Sequence, residues 1–230
     1  MIVFLLVSGF PTVFSQTSTF IQITDKGVIG TEAISRDGNR YIFTETIRKP
    51  ILIETSDIIL DGNGQRMELS TFFEGIKIVG QSGITIQNVK IYTAKVGILL
   101  QSTTNCIITN NTISRCSADG IRIKEDSIHN TIKLNTITEC EDEGIYVIDG
   151  SDNNVIHENR IYKVGNTGID IEGCGNQIIY GNIFTNNKEG KGVEASGSNN
   201  NHIFLNIVTD SMAGIQIKED CSNNLIYKNI

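Results

Sequence analysis

The sequence predicts an all-β fold: a right-handed, single-stranded parallel β-helix, a solenoid covered at its start by an N-terminal strand and hairpin. Three observations carry that reading. A glycine recurs every 22 to 24 residues, an alternating aliphatic strand follows each one, and an asparagine keeps the same period.

The glycines head the segments Gly75-Ile76-Lys77-Ile78, Gly97-Ile98-Leu99-Leu100, Gly120-Ile121-Arg122-Ile123, Gly144-Ile145-Tyr146-Val147, Gly168-Ile169-Asp170-Ile171, Gly192-Val193-Glu194-Ala195 and Gly214-Ile215-Gln216-Ile217. Period-two alternation and β-branched residues mark strands and exclude an α-helical repeat. Strands this short bury too little alone. Each is expected to pair in parallel with its copies in the coils above and below, about 4.8 Å away. Ile and Val then form interior ladders, and such coils make a rod roughly 30–35 Å long. The second marker is Asn111, Asn135, Asn159, Asn182, Asn206 and Asn229, with an Ile three residues before each. Asn tolerates left-handed backbone angles, so each is expected at a bend, and stacked amides bond from coil to coil. This series reads as structural.

Ahead of the repeats, Met1 to Ser15 reads MIVFLLVSGFPTVFS, an apolar run with Val13 and Ser15 as the small pair before a cut. It is expected to be a signal peptide, too short to span a bilayer and interrupted by Pro11. Residues 16–48 lack the repeat. Ile21-Gln22-Ile23 looks like an edge strand and Arg36-Asp37-Gly38-Asn39 like a hairpin turn, together an N-terminal cap. The repeats occupy 49–230, opening with Ile51-Leu52-Ile53 and with Ile58-Ile59-Leu60 before Asp61-Gly62-Asn63-Gly64. The chain stops within a repeat, so further coils or domains are expected beyond Ile230.

A net charge of −7, without a basic stripe, excludes nucleic acid as a partner and disfavours an anionic membrane surface. With the leader, it points to a secreted, periplasmic or cell-surface protein whose mature chain does not insert into a membrane. Five cysteines without a C-x-x-C rule out the common zinc and thioredoxin-like patterns. Cys116 and Cys140 hold matching places in successive coils, at a spacing that suits a disulfide or two buried thiols.

The Ile59-Leu60-Asp61-Gly62-Asn63-Gly64 lead-in, followed by Gly-Ile-x-Ile strands alternating with Asn-Asn-x-Ile-x-x-Asn-x-Ile turns, resembles NosD-like β-helix proteins. These belong to a wider group found in carbohydrate-binding proteins and sugar hydrolases. The resemblance covers Ile51 to Ile230 and implies the fold. One solenoid carries lyases, hydrolases, epimerases and non-catalytic binders, so function must be argued from the site. The group's association with copper delivery implies a periplasmic copper accessory role, which the residues do not support. His129, His157 and His202 fall at different places in their coils, and Met67 and Met212 are far apart.

If Ile at one and three residues after each glycine points inward, the residue between points out. That sets Lys77, Leu99, Arg122, Tyr146, Asp170, Glu194 and Gln216 in one exposed stack. Arg122, Tyr146, Asp170 and Glu194 are the candidate substrate-binding residues. Tyr stacks on a pyranose, carboxylates bond hydroxyls, and Arg holds a uronate carboxylate. Asp170 and Glu194, one coil apart, are also the candidate catalytic pair, with carboxyls about 5 Å apart as in retaining glycosidases. Asp119, Asp142 and Glu143 cluster on turns entering adjacent strands and are candidates for Ca²⁺, the one cofactor considered; no other metal is expected. An ordinary solvated solenoid face would carry similar residue types. The reading that follows is a surface or secreted protein binding polysaccharide or another glycan along this face, without strong signs of catalysis. The alternatives are a lyase or glycoside hydrolase acting on an acidic polysaccharide, and a structural spacer or adhesin segment.

Overall fold

The computed structural model describes residues 19–187 and 190–230. Every regular element among them is a strand, and the strands stack into three sheets around one interior. The leader expected at Met1 to Ser15 lies outside the described residues. No described helix is long and apolar enough to cross a membrane.

The first sheet holds the seven Gly-led strands, from Ile76–Val79 to Ala213–Ile217, with Ile51–Ile53 and Ile21–Thr24 before them. They pair in parallel and in register: Ile76, Ile98, Ile121, Ile145, Ile169, Val193 and Ile215 form one column. The second sheet follows in each coil, through strands such as Val155–His157 and Ile178–Tyr180, and the third closes the coil through strands such as Thr136–Thr138 and Arg160–Tyr162. Ile123, Val147 and Ile171 are fully buried in one inward column. Each such aliphatic residue contributes about 1.5–3 kcal/mol of burial.

The recurring glycine has a steric cause. A Cβ on Gly144 would lie 2.5 Å from Ile161 Cγ2 and 2.6 Å from the Gly168 carbonyl oxygen. The corner between third and first sheets therefore has no room for a side chain.

The asparagine series is a buried ladder. Asn135 Nδ2 donates to the Ile108 carbonyl of the preceding coil and to Asn159 Oδ1 of the next, and the Asn135 backbone N–H donates to that same oxygen. Asn111, Asn159, Asn182 and Asn206 repeat the pattern. The left-handed residue is not the ladder Asn, as the sequence reading held, but the one before it: Asn110, Leu134, Glu158, Gly181, Leu205 and Lys228 all have positive φ. Turning that residue left-handed frees the Asn to point inward. A second ladder, not seen from sequence, runs at the corner before the second sheet. There the N–H groups of Cys106, Asn130, Asn154, Gln177 and Asn201 donate to the side-chain oxygens of Asn130, Asn154, Gln177, Asn201 and Asn224.

At the start, the hairpin Ile34–Asp37/Arg40–Phe43 stacks in parallel on Ile59–Asp61. Asp61 ties that joint. It accepts from Arg40 at 2.5 Å, Gln87 Nε2 at 2.8 Å, Asn88 Nδ2 at 3.1 Å and the Asn63 N–H at 2.8 Å. These donors outweigh burial and hold its carboxyl at about 2. All five cysteines are free thiols. The neighbouring Cys140 thiol, then burial, push the Cys116 thiol far above its ordinary range, which makes it unreactive.

Candidate functional site

Strand register brings the outward residues of the first sheet into a file: Lys77, Leu99, Arg122, Tyr146, Asp170, Glu194 and Gln216 are successive neighbours. The file is not uniformly exposed, which corrects the sequence reading. Leu99 is 4% exposed and packs with Val96 and Ala118, and Glu194 is likewise 4% exposed. The cause is a flanking row, formed by the residue before each glycine, that leans over the file. Asp119 reaches Arg122 and Lys191 reaches Glu194, each three residues on.

Arg122 is committed to its own chain. Its Nε donates to the buried Asp119 carboxylate, and its guanidinium lies 5.6 Å from the Tyr146 ring centroid. It is therefore not a free cation awaiting a uronate. Tyr146 has one ring face covered by that guanidinium, and its hydroxyl donates to Glu172 Oε2 at 2.5 Å. Its open parts are the remaining ring surface and edge.

Asp170 and Glu194 are register partners whose environments differ. Burial, then the Glu194 charge, pushes the Asp170 carboxyl up to about 6, and its Oδ1 has no hydrogen-bond partner among the described residues. Burial also pushes Glu194 up, but Lys191 and Lys218 outweigh it and hold the carboxyl below its ordinary range. One carboxyl is kept toward the neutral form and its neighbour ionised. In the flanking row, the buried Thr167 Oγ1 also lacks a partner.

The structure brings Asp119, Asp142 and Glu143 together, with one carboxylate oxygen of each within 4.8 Å of the others. Glu143 is 8% exposed, and burial, then the Asp119 carboxylate, pushes it up to about 8. Its Oε1 accepts from Asn166 Nδ2 at 2.6 Å. Near neutral pH Glu143 is therefore kept toward its protonated form beside the Asp119 carboxylate, with Arg122 on the other side of Asp119. Ca²⁺ takes six to eight oxygens and would have to displace that proton.

Sequence reasoning followed only the residue two after each glycine. It missed Glu172, Lys191 and Lys218, which decide the charge state of the file, and Thr167 in the flanking row. The signal was present, since the same register applies one residue before and four residues after the glycine.

Residues 74–230 match the family model described as right handed beta helix region. No curated protein matches the chain significantly. Among solved structures, the chain is similar to the periplasmic alginate epimerase AlgG, at 14% identity and TM-score 0.64 over 80% of this chain and 54% of that one. It is similar also to the enzymatically active domain of bacteriophage CBA120 tailspike protein 2, at 14% identity and TM-score 0.61 over 78% and 34%. A third likeness is to the A-module of the Azotobacter vinelandii mannuronan C-5 epimerase AlgE6, at 13% identity and TM-score 0.50 over 82% and 78%. The chain spans about half the length of AlgG and a third of the tailspike domain. At these identities the likeness shows the fold alone.

Proposed function

Since the chain belongs to the right-handed β-helix family, in which side chains from successive coils become neighbours, we propose that it binds a polysaccharide along the outer face of its first sheet. The carrying observation is the in-register polar file itself, in which half-buried Tyr146 and Asp170 stand side by side at the centre, next to Glu194. Sugar hydroxyls are donors and acceptors that complete such a file, and the Tyr146 edge offers apolar contact. Support also comes from the structural neighbours, two of which are named as epimerases of alginate or mannuronan.

The charge of this face favours a sugar of low charge over a polyuronate. Arg122 is paired with Asp119, and Lys191 and Lys218 with Glu194, while Asp170 and Glu172 have no cation of their own among the described residues. At Tyr146 and Asp170 a uronate would meet carboxylates and cations that are already paired, while Lys77, which pairs with no carboxylate among the described residues, lies three coils from Tyr146. The lyase alternative, with an acidic polysaccharide as substrate, is weakened for the same reason.

A retaining hydrolase is the second reading, favoured by the opposite shifts of Asp170 and Glu194. Asp170 would protonate the leaving oxygen and Glu194 would attack the anomeric carbon. Glu194, however, is covered and clamped by two lysines, a poor state for a nucleophile. Binding without turnover is the stronger reading, at an extracellular, periplasmic or cell-surface location. The test is a glycan array, then titration calorimetry on the best glycan with wild type, Tyr146→Ala and Asp170→Asn. A loss of about tenfold or more in both variants is expected, the value of one or two good hydrogen bonds. Unchanged affinity in both, or no glycan bound by the wild type, would overturn the proposal. Appearance of new reducing ends would favour the hydrolase.

A further inference from the structure

The third sheet presents a face of different character. In register along it run Arg66, Lys90, Thr112, Thr136, Arg160 and Ile183, and beside them Glu68, Tyr92, Ser114, Thr138, Tyr162 and Thr185. Arg160 and Tyr162 flank the inward Ile161 on one short strand, so both point outward. Lys163 follows at the left-handed bend, φ 56°. Around them lies a concavity of about 390 Å³, lined by Thr136, Arg160, Tyr162, Lys163, Thr185 and Asn186, with Ile183 at its side.

What separates this concavity from the first-sheet face is the state of its cations. The Arg160 and Lys163 side chains are exposed and enter no ion pair or side-chain hydrogen bond among the described residues. Nearby charges are already engaged: Glu139, one coil before Lys163, is held by Arg115 at 3.1 Å, and Glu158 meets His157 at 3.1 Å. The Tyr162 ring is likewise in no aromatic or cation–π pair, unlike Tyr92, which Arg66 covers at 5.3 Å.

An exposed cation alone means little on a solvated surface. Here two converge on a hollow that also holds an open tyrosine, two threonine hydroxyls and an amide. We infer that this hollow is a second saccharide site, separate from the first-sheet face and selective for sugars that carry a negative charge. The guanidinium of Arg160 forks onto a carboxylate or sulfate, and Lys163 adds a point charge beside it. The Tyr162 ring lies against the apolar C–H face of the sugar. Thr136, Thr185 and Asn186 bond the hydroxyls. In a chain of net charge −7 an anion is drawn to such a local spot and not to the surface at large. The two faces then sort glycans by charge.

The test uses the full chain and three probes by titration calorimetry at low salt: a galacturonate tetrasaccharide, a heparin-derived sulfated tetrasaccharide and neutral maltotetraose. At least one anionic probe is expected to bind, and to bind more weakly as salt rises. The Arg160→Ala/Lys163→Ala double variant and Tyr162→Ala should each lose about tenfold or more in affinity for it. Lys26→Ala, at an exposed cation of the N-terminal cap, should leave that affinity unchanged. Which anionic probe binds tells a uronate from a sulfated sugar. Arg160 and Lys163 are exposed and Tyr162 is half-buried, so thermal unfolding of the variants should stay close to that of the wild type. Anionic binding that survives the double variant, or a wild type that binds neither anionic probe, would overturn the inference. The first-sheet reading stands or falls separately, on Tyr146 and Asp170.

Discussion

Replacing Glu143 by Gln should stabilise the protein near pH 8 and have a much smaller effect near pH 5. In the fold this carboxyl is pushed from the ordinary 4.5 up to about 8, by burial and by the Asp119 carboxylate. An acid raised in this way stabilises the fold fully below the unfolded value. As pH climbs past 4.5 the unfolded chain releases its proton while the fold keeps it, and stability falls by about 1.4 kcal/mol per pH unit. The fall levels off above about 8, where the folded carboxyl also ionises. The loss between pH 5 and pH 8 is then on the order of 2 kcal/mol or more. Gln keeps the shape, can donate to Asp119 in place of the carboxyl proton, can accept from Asn166, and does not titrate. Urea unfolding of both proteins at pH 5, 6.5 and 8 reads the effect. With a slope of ~2–3 kcal/mol/M, the midpoint difference should grow by roughly 0.7–1 M over that range. A difference between variant and wild type that is the same at all three pH values would refute the account of the cluster.

Three further outcomes follow from the same structure. Asp61→Ala should cost about 2 kcal/mol at pH 7, because a carboxyl held at about 2 against an ordinary 3.8 stabilises the fold above pH 4 and loses that contribution as pH falls through 2; an acid titration of stability shows whether the variant lacks this limb. Gly144→Ala should cost at least ~2 kcal/mol in chemical unfolding, since its Cβ would stand 2.5 Å from Ile161 Cγ2 and 2.6 Å from a backbone oxygen that cannot yield. Asn159→Ala should cost about 3 kcal/mol or more, because it removes the acceptor of the Asn135 amide and backbone N–H and leaves the Ile132 carbonyl and Asn182 Oδ1 without that donor; wild-type stability in that variant would show the ladder to be energetically idle.

Where the sequence could be read, one physical quantity was being read: the coil length. Once a period of 22 to 24 residues is known, Arg122, Tyr146, Asp170 and Glu194 must be neighbours, because parallel pairing in register leaves no alternative. The structure places them so. Burial within the file could not be read this way. Glu194 is covered because Lys191, three residues earlier, and Lys218, one coil on, both fold onto it. Neither belongs to the column that sequence alternation defines. The left-handed bend was misplaced by one residue because its occupants, among them Leu134, Glu158 and Leu205, share no chemistry. The second amide ladder stayed hidden because Gln177 interrupts its asparagines and Cys106 begins it.

The two outer faces show how a solenoid can set charge by register alone. A salt bridge within one coil, as between Asp119 and Arg122, removes a cation from the surface, and two and three coils on the carboxylates of Asp170 and Glu194 face each other. Burial then raises one of them, as at Asp170, because coils about 4.8 Å apart cannot separate like charges further without breaking the ladder. On the third sheet the equivalent columns are filled by threonine and serine between Lys90 and Arg160, so Arg160 meets no carboxylate in the coil below it in its own column and stays available. Introducing a carboxylate at Thr136, the lower register neighbour of Arg160, should therefore close the anionic site as effectively as removing the arginine, with no change in the fold. If Thr136→Glu left anionic-sugar affinity intact, the availability of Arg160 would not be what defines that face.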